Sequence, residues 1–369
     1  MDSQPACRDM AAEALASGWG RAGGDGAVGL FGPAGADGVS IRRSPSGRVN
    51  ETYFVGRDGV DSHVLQKLNP LLAAHAGNMC ENMSLACRAL AGSGVGRPEI
   101  VPAGDGGWFH YEPGDRSFWR LTAFLPGEPP DKGDRAQAAL CAGALGRCHA
   151  GLNRPRPLDL LPTYEPGPHA GDVTNQKLCR AEDFDLVSRR YRGHPRLPEV
   201  AGDVARGRQA ADWLPARPEF QMVFLGRGLV VHLDCKRDNF LLTPEGQAII
   251  DWDTLGYGDP LLDLGEMCRS WAVRESAPHY DAGMVSALLE GYRRTGMIPD
   301  EQYSLLPAVV RGLALNLARR YLTDALAEVY FKFDAEHYPS LFEQNRRRGG
   351  RLLDLVEELM DREIELSRL

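Results

Sequence analysis

The sequence predicts an α+β protein of two lobes, a small β-rich lobe in residues 1–125 and a larger, mostly helical lobe in residues 126–369. Short runs of β-type residues, separated by turn residues, fill the chain between residues 40 and 125. The break Pro126-Gly127-Glu128-Pro129-Pro130 follows, and beyond it the apolar residues recur mainly at helical spacing. One β-type island, residues 229–253, interrupts the helical part. This arrangement predicts a cleft between the lobes.

Within the small lobe the sequence predicts strands around a single helix. The strands are SIRRS, ETYFVGRDG and DSHVLQKLN, followed by residues 108–111 and 118–125. The helix covers residues 78–91, because four apolar residues have the i, i+4, i+7, i+11 spacing of one buried face: Met79, Met83, Ala86 and Leu90. In the large lobe, amphipathic patterns predict helices at residues 135–152, 284–295, 303–326 and 352–368.

Composition and charge exclude several classes of protein. The chain has 369 residues and a formal net charge of −8, from 42 Lys and Arg against 50 Asp and Glu. Because nucleic-acid binding needs clustered Lys and Arg, and the sequence has no basic block, we expect no nucleic-acid partner. No run approaches the ~20 apolar residues that cross a bilayer, and the first residues lack a signal-peptide core, so we expect a cytoplasmic protein without a membrane partner. The eight cysteines form no CxxC pair, which disfavours a zinc site or a disulfide framework.

The β-type island predicts a hairpin with polar residues at one end. Residues 240–242 and 248–250 are apolar and flank Thr243-Pro244-Glu245-Gly246, which has proline and glycine where a type I turn prefers them. Such a hairpin holds the segment that ends at Asn239 beside the segment that begins at Asp251. The two polar side chains are therefore expected to converge.

The island also contains the residue types that phosphoryl transfer requires. His232, Asp234 and Asn239 have the HxDxxxxN spacing of a kinase catalytic loop. Asp234 is the candidate catalytic base for an attacking hydroxyl, and Lys236 is the candidate cation for the γ-phosphate. Asn239 and Asp251 are candidate Mg²⁺ ligands, because this hard ion prefers oxygen donors.

Asp253 is a further candidate metal ligand. If the segment after the hairpin continues as a strand, residues at i and i+2 share a face, so Asp251 and Asp253 could bind the metal together. The HxDxxxxN spacing alone is a weak signal. The hairpin, the IIDWD segment that follows it and the β-then-α layout support the assignment independently.

On these residues the sequence resembles the aminoglycoside phosphotransferase and choline kinase-like superfamily, which has the protein-kinase fold. HLDCKRDN, IIDWD and GDPLLDLGEM are similar to its hallmarks, and the resemblance implies that Asp263 supports the catalytic loop. Within the superfamily the sequence most resembles the bacterial N-acetylhexosamine 1-kinases. Four segments carry this similarity: SGRVNETYFV at the glycine loop, HVLQKLN at the third strand, SFWRLTAFLPG at the hinge and ARRYLTDALAEVYF at the sugar-site helix.

The resemblance implies a kinase-like two-lobed fold, ATP and Mg²⁺ as cofactors, and a small-molecule sugar substrate. The implied nucleotide contacts lie in the glycine loop, the third strand and the hinge: Gly47, Val49, Lys67, Thr122 and Phe124. The implied substrate contacts lie in the glycine loop, the catalytic loop and the sugar-site helix: Arg48, Asp234, Arg320 and Tyr330. The similarity is weakest before residue 40 and between residues 151 and 220.

Three positions depart from the superfamily pattern. Arg48 stands where a histidine that contacts the sugar is expected. Gln66 occupies the usual position of the phosphate-binding lysine, and Lys67 follows it on the opposite face unless a bulge shifts the register. Glu81 is the nearest candidate for the usual glutamate of the small-lobe helix, but it lies opposite the buried face that Met79 marks.

These observations predict transfer of the ATP γ-phosphoryl group to the anomeric hydroxyl of N-acetylglucosamine or N-acetylgalactosamine. One alternative is a kinase for another acceptor: a different hexose, an aminoglycoside, choline or homoserine. Arg319 and Arg320 on the sugar-site helix argue against the cationic acceptors, which need acidic residues or an aromatic cage. The other alternative is a nucleotide-binding pseudokinase regulator, which only the displaced lysine at position 67 supports.

Overall fold

An antiparallel sheet of six strands forms the small lobe in the computed structural model, which describes residues 39–44, 49–69, 72, 75–104, 106–114, 116–163, 178–225, 228–273 and 280–362. The strands follow the order β1-β2-β3-β7-β5, and β6 also pairs with β7. They are β1 (Val39–Arg43), β2 (Glu51–Arg57), β3 (Val60–Lys67), β5 (Ile100–Val101), β6 (His110–Glu112) and β7 (Ser117–Ala123). Helix α1 (Ala76–Ala89) and the short strand β4 (Val95–Gly96) lie between β3 and β5 in the chain.

The register of β3 against β7 decides which side chains share a face of this sheet. Gln66 lies opposite Arg120, and Lys67 lies opposite Trp119. The register shift between β2 and β3 lies near the other end of these strands, at Gly56, so the pairing around Gln66 is regular. Because successive residues of a strand point to opposite faces, Gln66 and Arg120 share one face while Lys67 and Trp119 share the other.

Helices build the large lobe around the main hydrophobic core, which also includes apolar residues of α1. They are α2 (Arg135–Asn153), α3 (Ala181–Arg190), α4 (Leu197–Asp212), α5 (Pro218–Leu225), α6 (Pro260–Trp271), α7 (Ala282–Arg293), α8 (Leu306–Ala327) and α9 (Leu341–Asp361). The side chain of Asp134 caps α2 by accepting the backbone N–H groups of Ala136 and Gln137.

Four short strands of the large lobe frame the predicted catalytic segment. Strand β8 (Leu229–Val231) pairs antiparallel with β11 (Gly256–Gly258), and β9 (Phe240–Thr243) pairs antiparallel with β10 (Gly246–Ile249). The chain between β8 and β9 therefore lies beside the chain between β10 and β11. This confirms the predicted hairpin, with Thr243 opposite Gly246 across its turn.

The predicted two-lobed α+β class is confirmed, while some element boundaries differ. The last helix begins at Leu341 rather than at residue 352, because Ser340 caps it by accepting the backbone N–H of Glu343. The segment predicted to start α8 at residue 303 is a 3₁₀ turn over Asp300–Leu305. Helices α3, α4 and α5 were not predicted. Within the described ranges, no helix is both long and apolar enough to cross a membrane.

The close packing of α2 against α7 gives a stability test. A Cβ at Gly291 would lie 2.0 Å from the backbone oxygen of Ala139, whereas a Cβ at the exposed helical Gly202 would meet nothing within 4 Å. We expect Gly291→Ala to lower the free energy of unfolding by about 1–3 kcal/mol through overpacking. Gly202→Ala should raise it by about 0.5–1 kcal/mol, because alanine is the better helix former. Urea unfolding measures both, and equal effects of the two substitutions would contradict this packing.

Candidate active site

A buried carboxylate holds the catalytic segment from behind. Asp263, on α6, is fully buried and accepts the backbone N–H groups of His232 and Leu233, each at 2.6 Å. Nε2 of His149, on α2, lies 2.8 Å from the same carboxylate, and its Nδ1 lies 2.6 Å from the hydroxyl of Tyr292 on α7. Burial alone would raise the pKa of Asp263, but the hydrogen bond and charge of His149 and the attraction of His232 hold it below its ordinary value. Three helices thus fix the backbone just before Asp234.

Asp234, Lys236 and Asn239 form one hydrogen-bonded group on this segment. The amide nitrogen of Asn239 donates to the backbone oxygen of Asp234 at 2.8 Å and to its Oδ2 at 2.9 Å. The ammonium of Lys236 pairs with the same Oδ2 and lies 3.4 Å from Oδ2 of Asp251. Burial would raise the pKa of Asp234, but the neighbouring Lys236 lowers it below the ordinary value. Asp234 is therefore held as a carboxylate, the form that accepts a proton.

Asp251, whose carboxylate lies near the ammonium of Lys236, has an unusual backbone conformation. It has φ 66° and ψ 62°, in the left-handed region, and Leu233 also has a positive φ of 67°. Non-glycine residues in this region are uncommon and cluster at functional sites. Burial raises the pKa of Asp251, and the nearby carboxylates of Asp253 and Asp234 add to the rise, while Lys236 opposes it. A bound cation would relieve this repulsion.

The donor set at this position fits a magnesium ion. Asn239 and Asp251 offer hard oxygen donors beside each other, since the backbone N–H of Ile250 donates to the backbone oxygen of Asn239 at 2.9 Å. In the described part of the chain, no cluster of three or more His, Cys, Asp or Glu side chains could hold a metal. Mg²⁺ commonly takes one or two protein ligands and completes its shell with substrate phosphates and water.

The prediction that Asp251 and Asp253 share one face of a strand is wrong. The left-handed Asp251 is followed by a 3₁₀ turn, Trp252–Thr254, so the i, i+2 rule for strands does not apply. The Asp253 carboxylate is buried and pairs with the small lobe: Oδ1 lies 2.5 Å from Nη1 of Arg120, and Oδ2 accepts the side-chain amide of Asn50 at 2.8 Å. Its expected role as a metal ligand loses its geometric basis.

Lys67 lies on the face of β3 that points away from these carboxylates. Its ammonium is 5.5 Å from the ring centroid of Trp119. Gln66 lies on the other face, where its Oε1 accepts hydrogen bonds from Nε and Nη2 of Arg120 at 3.0 and 2.7 Å. Since the register here has no bulge, the structure does not bring Lys67 to the predicted phosphate site. Glu81, the candidate for the glutamate of the small-lobe helix, accepts the indole N–H of Trp108 at 2.6 Å instead of pairing with Lys67.

The predicted hinge joins the two lobes. Thr122 is buried in β7, and the backbone N–H of Phe124 donates to Ser62 at 2.9 Å. Farther along, Glu128 exchanges two backbone hydrogen bonds with Leu242 of the catalytic hairpin, at 2.8 and 3.1 Å. The hinge is thus bonded both to the sheet and to the hairpin. In the glycine loop, Val49 is partly buried, while Gly47 and Arg48 lie outside the described residues.

Arg320 and Tyr330 lie together near the C-terminal end of α8. The guanidinium of Arg320 is 5.2 Å from the ring centroid of Tyr330 and 5.8 Å from that of Phe331. Burial raises the pKa of Tyr330, Arg320 lowers it, and the charge of Asp234 raises it as well. The structure therefore brings together two of the predicted substrate residues, Arg320 and Tyr330, within the electrostatic range of Asp234.

A second buried carboxylate shapes the loop that carries Tyr330. Asp324, in the last turns of α8, accepts the backbone N–H groups of Val329, Tyr330 and Phe331 at 2.8–3.0 Å. The amide of Asn345 on α9 donates to its other side at 2.9 Å. Asp324 therefore orients the backbone of the loop through three hydrogen bonds.

Several functional side chains were not identified from the sequence. They hold the catalytic segment, the small lobe and the Tyr330 loop in place: Asn50, Arg120, His149, Asp324 and Lys332. The ammonium of Lys332 donates to the backbone oxygen of Asn50, at the end of the glycine loop. Burial lowers the pKa of Lys332. Only its rarity could have pointed to it, since the chain has just five lysines.

The geometry agrees with a family comparison. The chain matches the phosphotransferase enzyme family, APH, over residues 40–298, which is most of its length. The chain belongs to this family. By this membership it is a phosphotransferase.

Solved structures share its fold at low sequence identity. An aminopropanol kinase associated with a microcompartment has a TM-score of 0.61 at 18% identity, with 92% of this chain and 97% of that chain covered. An aminoglycoside phosphotransferase from Alicyclobacillus acidocaldarius has a TM-score of 0.55 at 14% identity, covering 94% and 98%. An amicoumacin kinase, solved with AMP-PNP, Ca²⁺ and its antibiotic, has a TM-score of 0.55 at 16% identity, covering 89% of each chain. These proteins differ in acceptor, so the shared fold alone does not select one.

The role of Asp234 is tested by Asp234→Asn, which removes the proton acceptor and keeps the shape. We expect kcat to fall by about 10²–10⁴-fold while the affinity for ATP changes little. Asp238→Asn is the matched control, because Asp238 is half-exposed on the same turn and pairs with the neighbouring Arg237 at the surface. Its kcat should stay within about twofold. Near wild-type turnover of Asp234→Asn would contradict the assignment.

Proposed function

We propose that the protein transfers the γ-phosphoryl group of ATP, with Mg²⁺, to the anomeric hydroxyl of N-acetylglucosamine or N-acetylgalactosamine. The observation that carries the proposal is the wall formed by the ring of Tyr330 and the guanidinium of Arg320, 5.2 Å from the ring centroid, on which the charge of Asp234 acts. Aromatic rings pack on the apolar face of a sugar, and the guanidinium can donate to its hydroxyl or acetamide oxygens. The resemblance of ARRYLTDALAEVYF to the sugar-site helix of N-acetylhexosamine 1-kinases supports the same acceptor.

In the proposed reaction Asp234 orients the acceptor hydroxyl and accepts its proton. The hydroxyl oxygen forms a bond to the γ-phosphorus, the bond from that phosphorus to the β–γ bridging oxygen breaks, and ADP leaves with the electron pair. Lys236 neutralises charge on the transferring group. Asn239 and Asp251 would hold Mg²⁺, which supplies positive charge to the phosphates when bound. Because the anomeric hydroxyl is a poor nucleophile, in-line placement should account for much of the rate.

On the nucleotide side, we propose that the adenine lies against the hinge at Thr122 and Phe124. The phosphates would then lie under the glycine loop, the segment of the sequence to which Gly47 and Val49 belong. The solved amicoumacin kinase contains AMP-PNP and Ca²⁺, which supports a nucleotide with a divalent cation in this fold. Asn50, at the end of the glycine loop, donates its side-chain amide to Asp253, two residues after the proposed metal ligand Asp251, and so links that loop to the turn that follows the ligand.

Cationic acceptors fit this wall less well. Aminoglycosides carry several positive charges, and choline needs aromatic faces for its quaternary ammonium. The guanidinium of Arg320, 5.2 Å from the ring centroid of Tyr330, places a like charge beside the position that a cationic acceptor would take. A pseudokinase is disfavoured because Asp234, Lys236, Asn239 and Asp251 are all present and grouped.

The acceptor class is tested by ADP release with Mg²⁺, ATP and a panel of acceptors. The panel contains N-acetylglucosamine, N-acetylgalactosamine, glucose, galactose, kanamycin, choline and homoserine. We expect the highest kcat/KM with an N-acetylhexosamine and phosphate attached at the anomeric position. A higher kcat/KM with kanamycin, choline or homoserine would contradict the proposed acceptor, and ATP binding without turnover on any of them would favour a pseudokinase.

The acceptor wall is tested by Tyr330→Ala compared with Tyr330→Phe. Removing the ring should raise KM for the sugar by about 10–100-fold, while KM for ATP stays near its wild-type value. Tyr330→Phe keeps the ring and should retain most of the sugar affinity. Steady-state kinetics with each substrate varied in turn separate the two effects. An unchanged sugar KM in Tyr330→Ala would remove Tyr330 from the acceptor site.

A further inference from the structure

Arg120 lies at the centre of a buried polar group that joins the two lobes. Its side chain, on β7, is 2% exposed. One side of the guanidinium donates twice to Oε1 of Gln66, and Nη1 lies 2.5 Å from Oδ1 of Asp253. Asn50 donates to the second oxygen of Asp253 and accepts the backbone N–H of Asn69 at 2.9 Å. The two ends of the group thus lie on the sheet and on the turn after Asp251.

The chemistry of the group suits a fixed connection. Burying an arginine and an aspartate is costly unless each is paired and hydrogen-bonded, and here both conditions are met. The planar fork of arginine can serve Gln66 and Asp253 at once, which a lysine could not do. Attraction to Asp253 raises the pKa of Arg120 despite its burial. The guanidinium is therefore a permanent cation. Its partner Asp253 lies two residues after Asp251, the proposed metal ligand.

Other kinases of this architecture connect the same places differently. A lysine on the third strand pairs with a glutamate on the small-lobe helix, and both must be in place beside the metal-binding aspartate for activity. Here Lys67 lies on the other face of β3, and Glu81 accepts from Trp108. Gln66 points to the opposite face of β3, and its side-chain oxygen accepts a hydrogen bond from Arg120.

We propose that Arg120 is a positioning residue that joins the small lobe to the metal site in place of the ion pair between a third-strand lysine and a helix glutamate, and that it holds Asp251 for the metal through Asp253. The ion pair between Arg120 and Asp253 fixes the 3₁₀ turn Trp252–Thr254. The left-handed Asp251 directly precedes this turn, so its carboxylate stays beside Asn239. Because Asn50 donates to the same carboxylate, the ion pair also positions the end of the glycine loop. The inference rests on the proposed use of ATP and a divalent cation, and not on the identity of the acceptor.

The test is nucleotide binding by calorimetry, with Mg²⁺ titrated and no acceptor present. Wild type, Arg120→Met and Arg120→Lys are each measured with ADP plus Mg²⁺, with ADP in EDTA, and with adenosine. Arg206→Met is the matched control, because Arg206 also pairs with several carboxylates, Asp203, Asp354 and Glu357, but between α4 and α9. Thermal unfolding monitors stability in every variant.

We expect Arg120→Met to raise the Mg²⁺ concentration for half-saturation by about 10–100-fold, the usual effect of losing a residue that orients a metal ligand. The Mg²⁺ concentration for half-saturation of Arg120→Lys should lie between the values for Arg120→Met and wild type. Adenosine and metal-free ADP should bind with nearly wild-type affinity, and Arg206→Met should lose stability alone. If Arg120→Met does not fold, the double variant Arg120→Met/Asp253→Asn leaves no lone buried charge and should show the same loss of Mg²⁺ affinity.

Three results would overturn the inference. Unchanged Mg²⁺ half-saturation in the folded variants would show that Arg120 does not position the metal ligand. Tighter Mg²⁺ binding in Arg120→Met would show that Asp253 is itself a ligand restrained by Arg120. An equal loss for metal-free ADP or for adenosine would show a direct phosphate contact or a general structural role. If wild type binds no nucleotide at all, the proposed kinase function fails instead.

Discussion

The buried carboxylate of Asp263 is the interaction on which the active site depends. It satisfies the two backbone N–H groups immediately before Asp234, and without an acceptor those groups would be buried and unpaired, at a cost of about 1–3 kcal/mol each. The left-handed φ of Leu233 is kept by the same contact. Through His149 and Tyr292, helices α2 and α7 hold the carboxylate in turn. The catalytic aspartate therefore projects from a backbone that the large lobe fixes.

The other charged side chains of the site form two groups that differ in burial: one around Lys236 is partly exposed, and the pair of Arg120 and Asp253 is buried. Lys236 lies between Asp234 and Asp251 at the cleft, while Arg120 lies behind them and engages Asp253. The formal net charge of −8 has little bearing on ATP binding, because placed cations and a metal act at short range. Lysine and arginine also divide the work by chemistry. The single ammonium of Lys236 can follow a moving phosphate, whereas the arginine fork suits a fixed two-sided contact.

Much of the catalytic segment could be predicted from the sequence, because its contacts are local. The hairpin of β9 and β10 follows from its turn residues, and it brings Asn239 beside Asp251. The regular alternation of β3 also predicted that Lys67 would point away from Gln66. Asp253 was misassigned because the left-handed backbone at Asp251 has no signal in the residue types, and it converts an expected strand into a 3₁₀ turn.

Contacts between distant segments could not be predicted. Arg120 meets Gln66 only through the pairing of β3 with β7, and its partner Asp253 is more than one hundred residues away. Asp324 and Lys332 act through a loop whose role depends on where α8 ends. Helices α3 to α5 lie in the region where the family resemblance is weakest.

Hydrogen–deuterium exchange of the peptide spanning residues 229–239 tests most directly whether Asp263 fixes the catalytic segment. In wild type the N–H groups of His232 and Leu233 should exchange slowly. In Asp263→Asn, loss of an acceptor oxygen should speed their exchange by about 10-fold or more, the equivalent of a lost hydrogen bond of about 1.4 kcal/mol or more. Peptides of α8 in the same samples should keep their wild-type exchange rates. Equal protection of the 229–239 peptide in both proteins would contradict the account.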